Sequence, residues 1–191
     1  LNAEETENVV KHALDLGINF FDTANSYSAG TSEEYLGCAL KKNVQRKNVV
    51  IASKVYFNPG RLSKEAIHRE IDGTLQRLGT DYLDLYIIHR FDYETPIEET
   101  MEALNDLVKT GKVRALGASA MYGYQFYNMQ LAARKHGWAQ FQAMENHYNF
   151  VNKWGILDAI QSTCRWTFDA SNMAYRYPSQ QNRSSCYGKI R

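Results

Sequence analysis

Four polar residues of this chain have side chains that together can perform acid–base chemistry. Asp22, Lys54 and His89 each follow an apolar run, and Tyr27 lies a few residues beyond the first of these runs. If the runs are parallel strands, their carboxyl ends meet on one rim, and barrel enzymes place their active sites on that rim. We therefore expect a carboxylate, a phenol, an ammonium group and an imidazole to converge there.

The chemistry expected of this set is proton donation. A tyrosine hydroxyl has a reference pKa near 10, and a neighbouring ammonium group favours its phenolate form. A decrease of about three units requires roughly 4 kcal/mol, which one desolvated lysine can supply. Tyr27 would be the general acid, with Asp22 holding Lys54 charged and in place. His89 would orient a carbonyl oxygen or relay a proton. The set suits protonation of a carbonyl oxygen while a cofactor delivers hydride to the carbon.

Each of these residues also has an ordinary structural explanation. An aspartate at a strand end often forms a turn, and a tyrosine in a loop often packs on the surface. A lysine or histidine at a strand end is often only solvated or hydrogen-bonded. The combination is more specific than its members, because three separate strand ends deliver complementary groups to one rim.

Apolar periodicity and capping signals predict alternating helices and strands over the first 150 residues. Asn2 and Glu5 form a capping-box pattern, and Thr95, Pro96 and Glu98 together form a strong helix start. The predicted elements are, in order, helix 3–16, strand 18–22, a helix near 32–41, strand 49–54, helix 63–78, strand 82–89, helix 95–110, strand 113–119, helix 125–136 and strand 141–145.

The spacing of these elements predicts an α/β fold. Strand starts recur about every 30 residues, which is the length of one β-crossover-β unit. Either a doubly wound sheet or a (β/α)8 barrel fits that repeat. No Gly-x-Gly-x-x-Gly follows any predicted strand, so the dinucleotide-binding sheet has no support. Polar residues at several strand ends favour a partial (β/α)8 TIM barrel with about five of eight β/α units, over residues 1–151.

Composition narrows the class of protein further. The net charge of +1 in 191 residues gives no general attraction to nucleic acid or to an anionic membrane. No apolar stretch approaches the roughly 20 residues of a membrane span. The three cysteines lack Cys-x-x-Cys spacing, which argues against a disulfide framework or a zinc site and fits a reducing cytoplasm. We expect a cytoplasmic protein with no metal, and a fragment, since the chain opens on Leu1.

At the residues named above, the chain resembles the aldo-keto reductase family. The matching segments are 17–24 (GINFFDTA) with Tyr27, 53–54, 77–86 (RLGTDYLDLY) ending in His89, 111–114 (GKVR) and 117–119 (GAS). The resemblance covers residues 1 to about 151. It is greatest to the bacterial and fungal branch that carries 95–100 (TPIEET).

The resemblance implies a (β/α)8 barrel that reduces aldehydes and ketones with NADPH. It implies Tyr27 as the acid, tuned by Lys54 and Asp22, with His89 positioning the small-molecule carbonyl substrate. It also implies cofactor contacts at Asp22 and at Ser119, which would hydrogen-bond the nicotinamide carboxamide. The family usually has glutamine where this chain has Glu145, and a carboxylate there can accept a hydrogen bond from the carboxamide but cannot donate one.

Further departures concern residues near the expected rim. Ala120 stands where many family members have asparagine, and the family's opening strand precedes Leu1. Tyr56, Phe91 and Tyr122 follow strand ends, and lining of the substrate pocket or ordinary packing explains them equally well.

The last 40 residues follow a different pattern. Segment 152–191 is rich in Ser, Gln, Asn, Arg and Tyr and has neither helix nor strand period. We expect a tail that is unrelated to the family and disordered. One permitted set of codons for 153–167, read from the second base, encodes a peptide that resembles the family's seventh strand. An out-of-frame tail after a deletion or splicing error is therefore our hypothesis.

The sequence leaves three alternatives for the function of the chain. The first is a carbonyl reductase. The second is a non-catalytic subunit that senses the cofactor, as in channel-associated relatives, and the third is an inactive fragment. Barrels usually build their phosphate site after strands seven and eight, so we expect weak NADPH binding and little turnover. The sequence predicts neither the substrate nor the oligomeric state.

Overall fold

A computed structural model of the chain describes residues 1–146, 167–169 and 174–176. The helices are α1 Ala3–Asp15, α2 Thr31–Asn43, α3 Lys64–Leu78, α4 Ile97–Lys109 and α5 Gly123–His136. The strands are β1 Phe20–Asp22, β2 Val50–Val55, β3 Leu83–Ile88, β4 Val113–Ser119, β5 Phe141–Glu145, β6 Thr167–Asp169 and β7 Ala174–Arg176. Short 3-10 turns span Tyr27–Gly30 and Arg46–Asn48.

The first five strands form a parallel half-barrel. They are neighbours in chain order, and each pairs in parallel with the next, as in Phe21 with Ile51 and Leu85 with Ala115. A helix follows each of β1 to β4 and returns the chain to the same end of the sheet. The predicted α/β architecture, a partial (β/α)8 barrel of about five units, is confirmed.

The two faces of the sheet differ in what covers them. Outward strand residues such as Ile51, Tyr86 and Ile88 join the helices in one large apolar core. Inward residues Ala52 and Leu85, with their neighbours on adjoining strands, form a second, smaller apolar cluster. Side chains alternate between the two faces along a strand. The residue two positions after such an inward residue therefore also points inward, and near the end of the strand its side chain lies at the carboxyl-terminal rim.

The capping signals were partly correct. The backbone N–H of Asn2 donates to Glu5 Oε2, and the Glu5 N–H donates to Asn2 Oδ1, both at 2.9 Å, as the capping box predicts. The predicted start of α4 is wrong, because Pro96 and not Thr95 is the residue before the helix. The Thr95 hydroxyl instead donates to Asp92 Oδ2 at 2.7 Å, so a buried carboxylate of the preceding loop uses it.

The first strand is shorter than predicted because Ile18, its predicted first residue, completes the end of α1. Gly17 has a left-handed φ of 83°, and Ile18 N–H donates to the Ala13 carbonyl at 3.0 Å. This hydrogen bond satisfies a carbonyl of the last helical turn. The extended segment then begins at Phe20.

Two short strands come from the segment where the sequence predicted none. β7 pairs antiparallel with β5 and with β6. The remainder of the predicted tail lies outside the described residues, so its disorder stays a prediction. No helix among the described residues has the length and apolar character that crossing a membrane requires.

Candidate active site

Lys54 is the centre of the candidate site. It lies near the end of β2, and its side chain is only 1% exposed. Its Nζ donates to a carboxylate oxygen of Asp22, to the Thr23 carbonyl at 3.2 Å and to the Tyr27 hydroxyl at 3.5 Å. A buried ammonium group needs such partners, because an unpaired charge in the interior is costly. The structure thus brings three of the four residues predicted at the rim into direct contact.

The loop after β1 fixes the position of Tyr27. Asn25 N–H donates to the Lys54 carbonyl at 3.2 Å, which continues the parallel pairing of β1 with β2 into the loop. The Asn25 side chain donates to Glu70 on α3 at 3.0 Å. Ser28 and Ala29 then adopt left-handed φ values of 48° and 52°, which non-glycine residues seldom do. The loop therefore turns sharply directly after the tyrosine and leaves that residue 40% exposed at the rim.

His89 lies one residue beyond β3, beside Tyr27. Its backbone N–H donates to the Val55 carbonyl at 2.9 Å, and the two aromatic rings are 5.7 Å apart in an edge-to-face arrangement. Burial, with the positive charges of Lys54 and Arg90, lowers the pKa of His89 to about 4. The imidazole is therefore neutral near pH 7, and one of its nitrogens carries a proton that it can donate in a hydrogen bond.

Two further predicted residues lie at the ends of the next strands. Ser119 and Glu145 are register partners at the ends of β4 and β5. The Glu145 carboxylate approaches Lys54, with Oε1 3.6 Å from Nζ. One buried ammonium group therefore faces two carboxylates, those of Glu145 and Asp22, whose side chains are 38% and 34% exposed.

This arrangement determines the charge of each group. Burial alone lowers the pKa of Lys54, but the attraction of Asp22, assisted by Glu145 and Tyr27, outweighs it and raises the pKa. Burial raises the pKa of Glu145, and the neighbouring charge of Asp22 adds to that effect. Lys54 is therefore firmly protonated near pH 7, as a cation that stabilises a phenolate must be.

The sequence did not point to Phe57 or Arg90, which surround the outer side of His89. The Phe57 and His89 rings are 5.0 Å apart, and the guanidinium carbon of Arg90 lies 5.6 Å from the centre of the Phe57 ring. An aromatic residue within two positions of a strand end is the signal that could have found Phe57. Tyr56 and Phe91, which the sequence offered for pocket lining or packing, pack against the main apolar core.

Tyr122, the third of those candidates, is exposed and stacks on Tyr124 at 5.9 Å.

A cavity of about 640 Å³ lies at the opposite end of the strands, between α2 and α3, with Arg46, Leu78 and Thr80 in its wall. The candidate catalytic residues do not line it. Within the described part of the chain, no group of three His, Cys, Asp or Glu side chains is placed to hold a metal ion.

The fold and the candidate site together indicate a class of protein: barrels of the (β/α)8 type, here a partial one with candidate acid–base residues at the carboxyl ends of its strands. The chain belongs to the aldo/keto reductase family, whose model matches residues 1–176. The match runs past residue 151. The domain boundary predicted there, and the out-of-frame origin of the tail, stay predictions.

Relatives from fungi agree with this assignment. An aldo-keto reductase of Fusarium vanettenii is 40% identical over 220 aligned positions, covering 96% of this chain and 60% of the relative. The versiconal hemiacetal acetate reductase of Aspergillus parasiticus is 42% identical over 175 positions, covering 79% of this chain and 51% of the relative. The chain thus spans about half to three fifths of the length of these curated relatives.

A solved structure shows the same architecture. The thermostable aldo-keto reductase Tm1743, crystallised in complex with the inhibitor epalrestat, superposes with a TM-score of 0.75 at 32% identity. The superposition covers 85% of this chain and 57% of that one.

Proposed function

We propose that this protein reduces aldehydes or ketones to alcohols, taking hydride from NADPH and a proton from Tyr27. The observation that carries the proposal is the contact of one buried ammonium group with both a carboxylate and a phenol. Lys54 Nζ contacts Asp22 and lies 3.5 Å from the Tyr27 hydroxyl, whose ring is open to solvent. A proton donor next to a fixed cation, at an exposed rim, suits an acid that must reach a substrate oxygen.

Each residue has a role in the proton transfer. Tyr27 donates its proton to the carbonyl oxygen as negative charge develops there. Lys54 stabilises the phenolate that remains, and Asp22 keeps the ammonium group in place. His89, neutral near pH 7, donates a hydrogen bond to the same carbonyl oxygen. A group fixed in advance for the developing charge stabilises the transition state more than the ground state.

The proposed cofactor site is the end of β4 and β5. Ser119 and Glu145 are adjacent in register, and the Glu145 side chain is 38% exposed and close to Lys54. These polar groups suit an amide, because the Glu145 carboxylate would accept a hydrogen bond from the amide NH₂ group and the Ser119 hydroxyl would donate to or accept from the amide. A bound nicotinamide cofactor supplies a hydride, and the family favours NADPH as its source.

The remaining predictions concern where the protein works. We propose a cytoplasmic location and a small carbonyl compound as substrate, without nucleic acid or membrane partners. The net charge of +1 and the three scattered cysteines support these proposals.

The test detects the transfer of deuterium from the cofactor to the product, because we expect slow turnover. The chain is incubated with 4-nitrobenzaldehyde and NADPH that carries deuterium in the transferable position, and the alcohol is analysed by mass spectrometry. We expect deuterium on the carbinol carbon. Tyr27→Phe should lower its rate of appearance by about 10²- to 10⁴-fold, which is the usual contribution of a general acid.

Tyr124→Phe is the matched control, since Tyr124 is an exposed tyrosine on α5. Its rate should equal that of the unmodified chain. Equal rates for Tyr27→Phe and the unmodified chain would show that Tyr27 is not the acid. NADPH binding by fluorescence titration without deuterium transfer would contradict the reductase and support the cofactor-sensing alternative.

A further inference from the structure

We propose that Phe57 and Arg90 form a substrate subsite for a flat, conjugated group that carries a negative charge, such as an aromatic ring with a carboxylate. The inference rests on the proposed function, which places the substrate carbonyl at Tyr27. It adds the class of carbonyl compound that the site prefers.

Phe57 provides the flat apolar surface. It lies two residues beyond β2, with its ring edge-to-face against His89 at 5.0 Å, and it is 52% exposed. His89 in turn contacts the Tyr27 ring at 5.7 Å. Rings therefore extend outward from the proposed acid, and the last of them is half open. A planar substrate can cover that open surface, and aromatic pairs of this kind attract each other.

Arg90 provides the positive charge next to that surface. It is an exposed residue directly after His89, and its guanidinium carbon lies 5.6 Å from the centre of the Phe57 ring. Within residues 1–146, no carboxylate forms an ion pair with it at 4.0 Å or less. Guanidinium groups bind carboxylates through two parallel hydrogen bonds, so this arginine has its main recognition capacity available.

A second arginine on the same rim, Arg61, differs from Arg90 because it has carboxylate partners. Arg61 lies over the Tyr56 ring at 5.8 Å, but it also pairs with Glu94 at 2.7 Å and Asp92 at 3.7 Å. These two carboxylates already neutralise Arg61. Of these two arginines, therefore, Arg90 is the one without a carboxylate partner among residues 1–146.

The charge of Arg90 also reaches the catalytic group. After burial and Lys54, Arg90 is a further cause of the low pKa of His89, about 4. An anion bound at Arg90 therefore sits within electrostatic range of the imidazole. The backbone hydrogen bond from His89 N–H to the Val55 carbonyl fixes the start of the loop after β3, so the sheet defines the position of Arg90 relative to the rim.

The test measures binding and does not depend on turnover. Dissociation constants are determined by isothermal titration calorimetry on the full chain for two pairs of alcohols, which cannot react in the absence of oxidised cofactor. The first pair is 4-(hydroxymethyl)benzoate and 4-methylbenzyl alcohol, and the second is the corresponding biphenyl pair, so that two separations between the hydroxyl group and the anion are tested. In at least one pair we expect the acid to bind about fivefold more tightly than the neutral compound, as an exposed ion pair allows.

Arg90→Gln should reduce that ratio to about one, and 0.5 M salt should do the same to the unmodified chain. The matched control is Arg114→Gln, because Arg114 also lies over a ring, that of Tyr82 at 3.8 Å, but at the other end of the strands. Phe57→Leu should weaken both members of a pair and leave their ratio unchanged. In Arg90→Gln the pKa of His89, followed by NMR, should rise.

The inference would be overturned by no preference for the acid in either pair, by an unchanged ratio in Arg90→Gln, or by an equal decrease in Arg114→Gln. Weaker NADPH binding by Arg90→Gln, with unchanged binding of the acids, would assign Arg90 to the cofactor and also overturn it. A ratio that depends on Arg90 without deuterium transfer would leave the subsite standing and refute the reductase. Deuterium transfer with no charge preference would do the reverse.

Discussion

Replacing Lys54 by methionine tests whether the buried ammonium group holds the site together. Methionine keeps the unbranched shape and removes the charge, so the carboxylates of Asp22 and Glu145 lose their shared cation. Removing one partner of a buried ion pair usually costs about 3–5 kcal/mol. Both carboxylate side chains are about one-third exposed, so water solvates part of the negative charge that loses its cation. We therefore expect a loss of about 2 kcal/mol in the free energy of unfolding at pH 7.

The pH dependence of this loss identifies its cause. The folded-state pKa of Lys54 is raised, so its stabilising contribution is fully present below the unfolded-state value of about 10.4. It is lost only as pH rises through the folded-state value. In the variant, the two carboxylates face each other without a cation, so their folded-state pKa values rise further. The destabilisation should therefore be largest near pH 7 and decrease toward pH 4.5, where the carboxylates take up protons.

Urea unfolding followed by circular dichroism measures both effects. Lys112→Met is the matched control, because Lys112 pairs with Asp72 at 2.5 Å while their side chains are 35% and 62% exposed. Exposed pairs contribute about 0–1 kcal/mol, so the control should lose less than 1 kcal/mol. Equal losses in the two variants, or a loss for Lys54→Met that is the same at pH 7 and pH 4.5, would refute the reasoning.

Two further predictions concern the backbone and also use urea unfolding. Ala120 has a left-handed φ of 43° and is exposed, and asparagine tolerates this conformation better, so Ala120→Asn should stabilise the fold by about 0.5 kcal/mol. A lower stability would show that the strain is not local. In α2, a Cβ on Gly37 would lie 2.3 Å from the Leu78 carbonyl oxygen. Gly37→Ala should therefore cost more than about 2 kcal/mol, although alanine favours helices by about 1 kcal/mol. A neutral result would mean that α2 moves away from α3 at little cost.

Much of the fold could be predicted because its signals are local. The 30-residue repeat of strand and helix requires parallel pairing, and parallel strands joined by helices have few alternative arrangements. Predictions failed where a distant residue decided a local choice. Asp92 binds Thr95 and displaces it from the start of α4, and no pattern within the helix sequence reveals that competition.

The candidate site follows the same division. Asp22, Lys54 and His89 end apolar runs, and alternation of side chains along strands explains why such residues reach one rim. The approach of Glu145 to Lys54 depends instead on how far the sheet curves, and this curvature cannot be derived from the types of the residues. Phe57 reaches the His89 ring and the Arg90 guanidinium because the loops after β2 and β3 fold toward each other.

By itself, the sequence therefore determined which groups are present at the strand ends, and hence the family and the chemistry expected of it. Residue type and period are properties of neighbouring positions along the chain, and a sequence contains them fully. Only the tertiary structure decided that one ammonium group serves two carboxylates, that the histidine is neutral, and that the arginine after it lies near the Phe57 ring with no carboxylate partner among residues 1–146. Charge state and recognition depend on distances across the sheet and on the exclusion of water, and both exist only after the chain has folded.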